Sequence, residues 1–193
     1  GDIFCGWPHK DNVRIKGEIN TAAAHNVLTN RAQYEAGRTA KYGVTQAVVC
    51  DEPNMSMRYC EMEPDEHPEN IAEYRVRRER KYQTIAEYNR RHETSYTAFA
   101  EIGPARLADA RKSGKFAEFT EWRNFNVDRW CEVIKLLADN GKKMDPDLKL
   151  ALYNSFGQTA LSGNDYWKLL TKAGLEFSNE YTSMVYMGRD AIY

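Results

Sequence analysis

Glycine and proline punctuation divides the last ninety residues into short segments with apolar stripes, and that division limits the fold more than any other feature of the chain. Gly103-Pro104 opens the run. A short helix is expected over 104–113, stopped by Gly114. Residues 117–140 then place Phe119, Trp122, Trp130, Val133, Ile134 and Leu137 at helical intervals, and Gly141 closes them. Asp145-Pro146-Asp147 supplies an N-cap with proline at the first helical position. Leu148, Ala151, Leu152 and Phe156 follow it, with Gly157 as the stop. Ser162-x-x-Asp165 reads as a capping box ahead of Tyr166, Leu169, Leu170 and Ala173, and Gly174 ends that stripe. The pattern predicts antiparallel helices joined by short connections.

The first third of the chain reads differently. Residues 3–7 suggest a short strand running into a Pro8 turn, and residues 20–36 a helix capped by Asn20 or Thr21. Residues 45–52 have β-branched character, and 55–63 alternate with period two. Glu52-Pro53-Asn54 between them signals a turn, so an antiparallel hairpin is expected. The fold class that follows is α+β, predominantly α. A small strand–helix–hairpin unit covers 1–64, an acidic link and an Arg-rich helix cover 65–93, and a helical bundle covers 94–193.

Charge inverts sharply along the middle segment. Glu61, Glu63, Asp65, Glu66, Glu69 and Glu73 precede Arg75, Arg77, Arg78, Arg80, Lys81, Arg90 and Arg91, in a chain of net charge −1. A helix is expected over 69–92, with Ile71, Tyr74, Arg78, Tyr82, Ile85, Tyr88 and His92 recurring at spacings of three and four. Three readings of the cations stay open: a solvated face, a docking surface for an acidic protein or neighbouring subunit, or a contact with a nucleic-acid backbone. For docking, Arg75, Arg77, Arg78, Arg80 and Lys81 supply charge-assisted contacts, with Tyr74 and Tyr82 as anchors.

Hydrophobic residues make up 42% of the 193, enough for a packed core. No apolar run reaches the ~18 residues that a membrane span needs. The opening residues show no secretory signal, and Cys5, Cys50, Cys60 and Cys131 form no Cys-x-x-Cys pair. Reduced thiols in an intracellular protein are the expectation.

Catalytic templates fit poorly. Cys5 and His9 suggest a thiol nucleophile or two metal ligands, with no third group in view. His67-Pro68-Glu69 matches half of a zinc-deaminase signature whose cysteine half is absent. Glu61 and Glu63, with Asp51-Glu52 at the end of the neighbouring strand, suggest either Mg²⁺-binding carboxylates or an acidic edge that discourages strand pairing. There is no phosphate-binding glycine loop and no nucleophile elbow. No catalytic residue, metal or cofactor is assigned.

Residues 148–175 resemble a degenerate EF-hand pair of helices of the p25-alpha (tubulin polymerisation-promoting) type. Leu161 stands at the apolar loop position, Ser162 at the cap of the exit helix, and Tyr166, Leu169 and Leu170 on its stripe. No acidic residue lies between Phe156 and Leu161, so the resemblance implies a helix-turn-helix packing unit and no calcium. The expected function is a non-enzymatic interaction protein, an accessory or scaffolding component of a larger assembly. Its alternatives are nucleic-acid binding through the same helix and a small thiol- or metal-dependent enzyme using Cys5 and His9.

Overall fold

A computed structural model describes residues 18–44, 46–51, 66–153 and 165–179. Helix dominates these residues, and three short strands form one parallel sheet. Helix α1 (Ala22–Ala40) begins where the Thr21 hydroxyl accepts from the Ala24 amide at 3.0 Å. Strand β1 (Gln46–Asp51) follows it. Helices α2 (Pro68–Tyr82), α3 (Ile85–His92), α4 (Leu107–Ser113) and α5 (Ala117–Lys142) come next, then β2 (Lys149–Tyr153), α6 (Tyr166–Lys172) and β3 (Leu175–Asn179).

The helix expected over 69–92 is two helices. Gln83 adopts φ 63°, and the Thr84 hydroxyl accepts from the Glu87 amide at 3.2 Å, which caps a new start. The stripe read from the spacing is nonetheless the inward face. Tyr74, Arg78, Tyr82, Tyr88 and His92 are all buried.

Strand order is β1-β2-β3, parallel throughout. Gln46 pairs with Lys149 and Asp51 with Tyr153, with a register shift between Val48 and Asp51. Leu150 pairs with Leu175 and Tyr153 with Asn179. Residues 46–51 form a strand as expected and pair in parallel with β2 from the far half of the chain; 55–63, the second strand of the expected hairpin, lie outside the described residues. One expectation is corrected here. The helix expected after Asp145-Pro146-Asp147 is a strand over Lys149–Tyr153, so the first member of the EF-hand-like helix pair is absent. Leu150, Ala151 and Leu152 are each fully buried. A strand covered on both faces shows a continuous apolar run, which periodicity alone does not separate from a buried helix. The exit helix does form, from Tyr166, with the Asp165 carboxylate as its cap to the Lys168 amide. Ser162, expected to cap it, lies outside the described residues.

Two hydrophobic clusters hold the elements together. The first gathers Leu28, Ala32 and Ala36 of α1, Ala47 and Val49 of β1, Trp130 to Ala138 on α5, Leu150 and Leu152 of β2, Leu169 of α6 and Leu175 of β3. Helices α1, α5 and α6 therefore share one core with all three strands, and the regions expected as separate units over 1–64 and 94–193 share one sheet. The second cluster is aromatic: Tyr74, Tyr82, Tyr88, Trp122 and Phe125, with Ile102. Helix α5 serves both. Its 26 residues span about 39 Å at 1.5 Å per residue.

Candidate functional site at the carboxyl edge of the sheet

Parallel strands joined by helices have two unlike edges. Each strand hands the chain over at its carboxyl end, and loops that carry chemistry gather there. The register puts Asp51, Tyr153 and Asn179 in one row at that edge, the last residues of the three ladders. Glu52, Asn154 and Glu180 follow them in sequence. Neighbouring strands lie about 4.8 Å apart, so the row spans about 10 Å from β1 to β3. The register shift between Val48 and Asp51 falls just before the row.

Helix α5 returns the chain to the amino end of β2, so its first half lies toward the carboxyl side of the sheet. Trp130 and the residues after it pack with the strands, whereas Trp122 and Phe125 belong to the aromatic cluster. The excursion α2–α3 packs on that first half through the aromatic cluster. Tyr74 meets Trp122 edge to face with centroids 4.9 Å apart. Burial pushes the Tyr74 hydroxyl well above the ordinary phenol range.

The cations of α2 are largely committed within the chain. The Arg75 Nε donates to the Ile102 carbonyl at 2.7 Å. Arg77 grips Glu132 with both terminal nitrogens, at 2.7 and 3.0 Å, and reaches Glu73 at 2.7 Å. Burial opposes the Arg77 charge, but the bonds to Glu132 and Glu73 raise its pKa above the ordinary value. Burial likewise works against the Glu132 charge, yet Arg77 and Arg129 hold that carboxyl below its usual range. Arg78 donates to Glu121, Lys81 reaches the same carboxylate at 2.8 Å, and the Tyr82 hydroxyl donates to it at 2.7 Å. Tyr74 and Tyr82 are core residues and not accessible anchors. Arg80 stays exposed.

Cys5, His9, Glu61 and Glu63 lie outside the described residues. Among the described residues no group of three or more His, Cys, Asp or Glu is arranged to hold a metal, and no helix is long and apolar enough to cross a membrane. Of the carboxylates singled out in the sequence, the structure places the Asp51 backbone at the last pairing of β1 with β2, and Glu52 lies outside the described residues. Tyr153 lies in a segment whose apolar run reads as helix, and no element is expected over 175–179, so the sequence alone does not bring Tyr153 and Asn179 together. The alternation in Leu175-Glu176-Phe177-Ser178-Asn179 was the available signal for β3.

No family model and no curated protein matches the sequence. Solved structures do match the fold. A β-galactosidase from Bacillus circulans sp. alkalophilus shares 19% identity over 86% of this chain, with a TM-score of 0.64. A β-galactosidase from the haloarchaeon Halorubrum lacusprofundi shares 17% over 84%, also at 0.64. The catalytic domain of a β-amylase from Paenibacillus polymyxa shares 12% over 77%, at 0.57. The chain spans 24% of the length of each of those β-galactosidases and 46% of the β-amylase domain.

Proposed function

We propose that this chain forms part of a (β/α)-barrel enzyme that cleaves glycosidic bonds, with the Asp51-Glu52 pair as its acid–base element. The observation that carries the reading is the row Asp51–Tyr153–Asn179 at the carboxyl edge of the sheet. Sequential strands lie side by side, and the helices share one core with them, which is the winding of a barrel. A doubly wound sheet divides its helices between two faces. In barrels the catalytic groups sit at the carboxyl ends of strands. The β-galactosidase and β-amylase neighbours add a substrate class that suits this geometry.

Glycoside hydrolysis requires two carboxyl groups flanking the scissile bond. Glu52, the first residue beyond the β1 ladder, is the candidate proton donor to the leaving oxygen. Glu180, which follows Asn179 in sequence and lies outside the described residues, is the candidate for the second carboxylate. The earlier reading, docking of a protein or a nucleic acid through α2, loses support because five of the seven chosen side chains are bonded to groups of the chain itself.

The test is hydrolysis of a panel of nitrophenyl glycosides and galactans by the purified protein and by its Glu52→Gln and Asp51→Asn variants. Glu52→Gln is expected to lower turnover by about 10²–10⁴-fold with unchanged circular dichroism. Absence of both turnover and saccharide binding across the panel defeats the reading. So does turnover that survives both substitutions.

A further inference from the structure

We infer that Asn140-Gly141 is a self-modification site, an asparaginyl pair able to close into a succinimide, which the fold holds shut until the last turn of α5 opens. The reaction needs no partner but water. The Gly141 backbone nitrogen attacks the Asn140 side-chain carbonyl carbon and forms a C–N bond. That nitrogen gives up its proton, and the side-chain amide nitrogen leaves as ammonia. Water then opens one or other carbonyl of the five-membered ring, giving aspartate or isoaspartate. A following glycine obstructs the attack least, since it has no Cβ and the freest backbone. Asn140-Gly141 is the one Asn-Gly pair in the chain.

Packing accounts for both members of the pair. A Cβ at Gly141 would lie 2.9 Å from the Leu148 Cδ2 and 3.9 Å from the Ala36 Cβ. Leu148 is fully buried, so a larger residue at 141 meets a neighbour with no open space behind it. Asn140 is buried as well. Its Oδ1 accepts from the Gln33 Nε2 of α1 at 3.2 Å and from the Lys143 Nζ at 2.9 Å, and its Nδ2 donates to the Leu136 carbonyl at 2.8 Å. Asparagine ties α1 to the end of α5, and glycine lets α1 and Leu148 close in. Their adjacency is what makes the bond reactive.

The same contacts keep the reaction from starting. The bond to Leu136 turns the Asn140 amide back along the helix, away from the Gly141 nitrogen. Gly141 lies within α5, where an N–H is committed to the carbonyl four residues earlier. The Met144 and Asp145 amides fasten the Gly141 carbonyl at 3.0 Å each. These bonds must release before the nitrogen and the side-chain carbon meet. Isoaspartate then adds a methylene to the α5 backbone, and both products lose the donor to Leu136. Opening of this turn is thereby written into the covalent chain, and a reversible excursion becomes permanent.

Peptide mapping by mass spectrometry, with electron-transfer fragmentation to separate aspartate from isoaspartate, tests the site after incubation at pH 8 in buffer and in urea. Both products are expected at position 140 in urea. Their rate of formation in buffer is expected to be lower by about tenfold or more, because only the opened population reacts. Gln33→Leu removes the tie to α1 and leaves the pair itself intact. It is expected to raise the rate in buffer by about threefold and to leave the rate in urea unchanged. Lys143→Met, at an exposed position, removes the other donor to Oδ1 and serves as a second variant with the same expectation. Equal rates in buffer and urea, no product in urea, or a buffer rate that neither variant raises overturns the inference.

Discussion

Replacing Glu121 with alanine removes one carboxylate on which Arg78, Lys81, Tyr82 and His92 converge. Arg78 and Glu121 are 11% and 12% exposed along their side chains, so this is a buried pair. Breaking such a pair by deleting one partner costs about 3–5 kcal/mol, because the other charge stays buried and uncompensated. Lys81 is 55% exposed and rehydrates, so its share is about 0–1 kcal/mol. The Tyr82 hydroxyl loses its acceptor, worth about 1 kcal/mol, and water entering the gap returns a similar amount. The expected net loss is about 4 kcal/mol. With a urea slope of about 2 kcal/mol/M, the unfolding midpoint falls by about 2 M. Urea titration followed by far-ultraviolet circular dichroism measures it, with Asp139→Ala as the control. Asp139 pairs with Lys135 at 2.8 Å, both more than half exposed, so that change moves the midpoint by less than about 0.3 M. If Glu121→Ala shifts the midpoint no further than Asp139→Ala, the argument from burial is wrong.

Other outcomes follow from the same packing. Leu150→Ala, at a fully buried position of β2, is expected to cost about 3 kcal/mol in urea unfolding, against less than about 0.5 for an exposed substitution such as Lys149→Ala. Thr84→Ala removes the α3 cap and is expected to cost about 1 kcal/mol, with lost exchange protection concentrated in the first turn of that helix. Burial pushes the Cys131 thiol up to about 12, so peptide mapping after iodoacetamide at pH 8 should find Cys131 unmodified in the folded protein and alkylated in urea. Hydrogen bonds from Arg90 and Arg91 pull the Glu87 carboxyl down to about 2. Because the folded value lies below the unfolded one, that pairing favours the folded state above the ordinary carboxylate range and fades as pH falls toward 2. A carbon NMR titration checks it, and Arg90→Gln is expected to move the midpoint upward.

The sequence revealed period better than partnership. Helix α5 was legible over almost its whole length, because Phe119, Trp122, Trp130, Val133, Ile134 and Leu137 keep one helical register. The stripe from Tyr74 to His92 was legible too, but not what it meets. Arg78 finds Glu121 across 43 residues and Arg77 finds Glu132 across 55, and local charge counting carries no trace of such pairs. Strand β2 failed for a different reason. Its run of buried residues has no polar face, so Pro146 between Asp145 and Asp147 reads as a helix start. With β2 lost, the parallel pairing of β1 was lost as well, since Gln46 meets a residue 103 positions later. Asp51-Glu52 was recognised as a carboxylate pair, yet the neighbour that gives it a setting was out of reach of any local pattern.

Helix α5 is built into both hydrophobic clusters along a single uninterrupted backbone. Its hydrogen-bonded turns pass from the aromatic end to the sheet end without a break. Melting begun in either half therefore exposes apolar surface in the other, and the two clusters surrender together instead of one after the other. A protease nick inside 117–142 would accordingly cost the molecule both halves at once, whereas one in the connection after α4 would leave this shared beam whole.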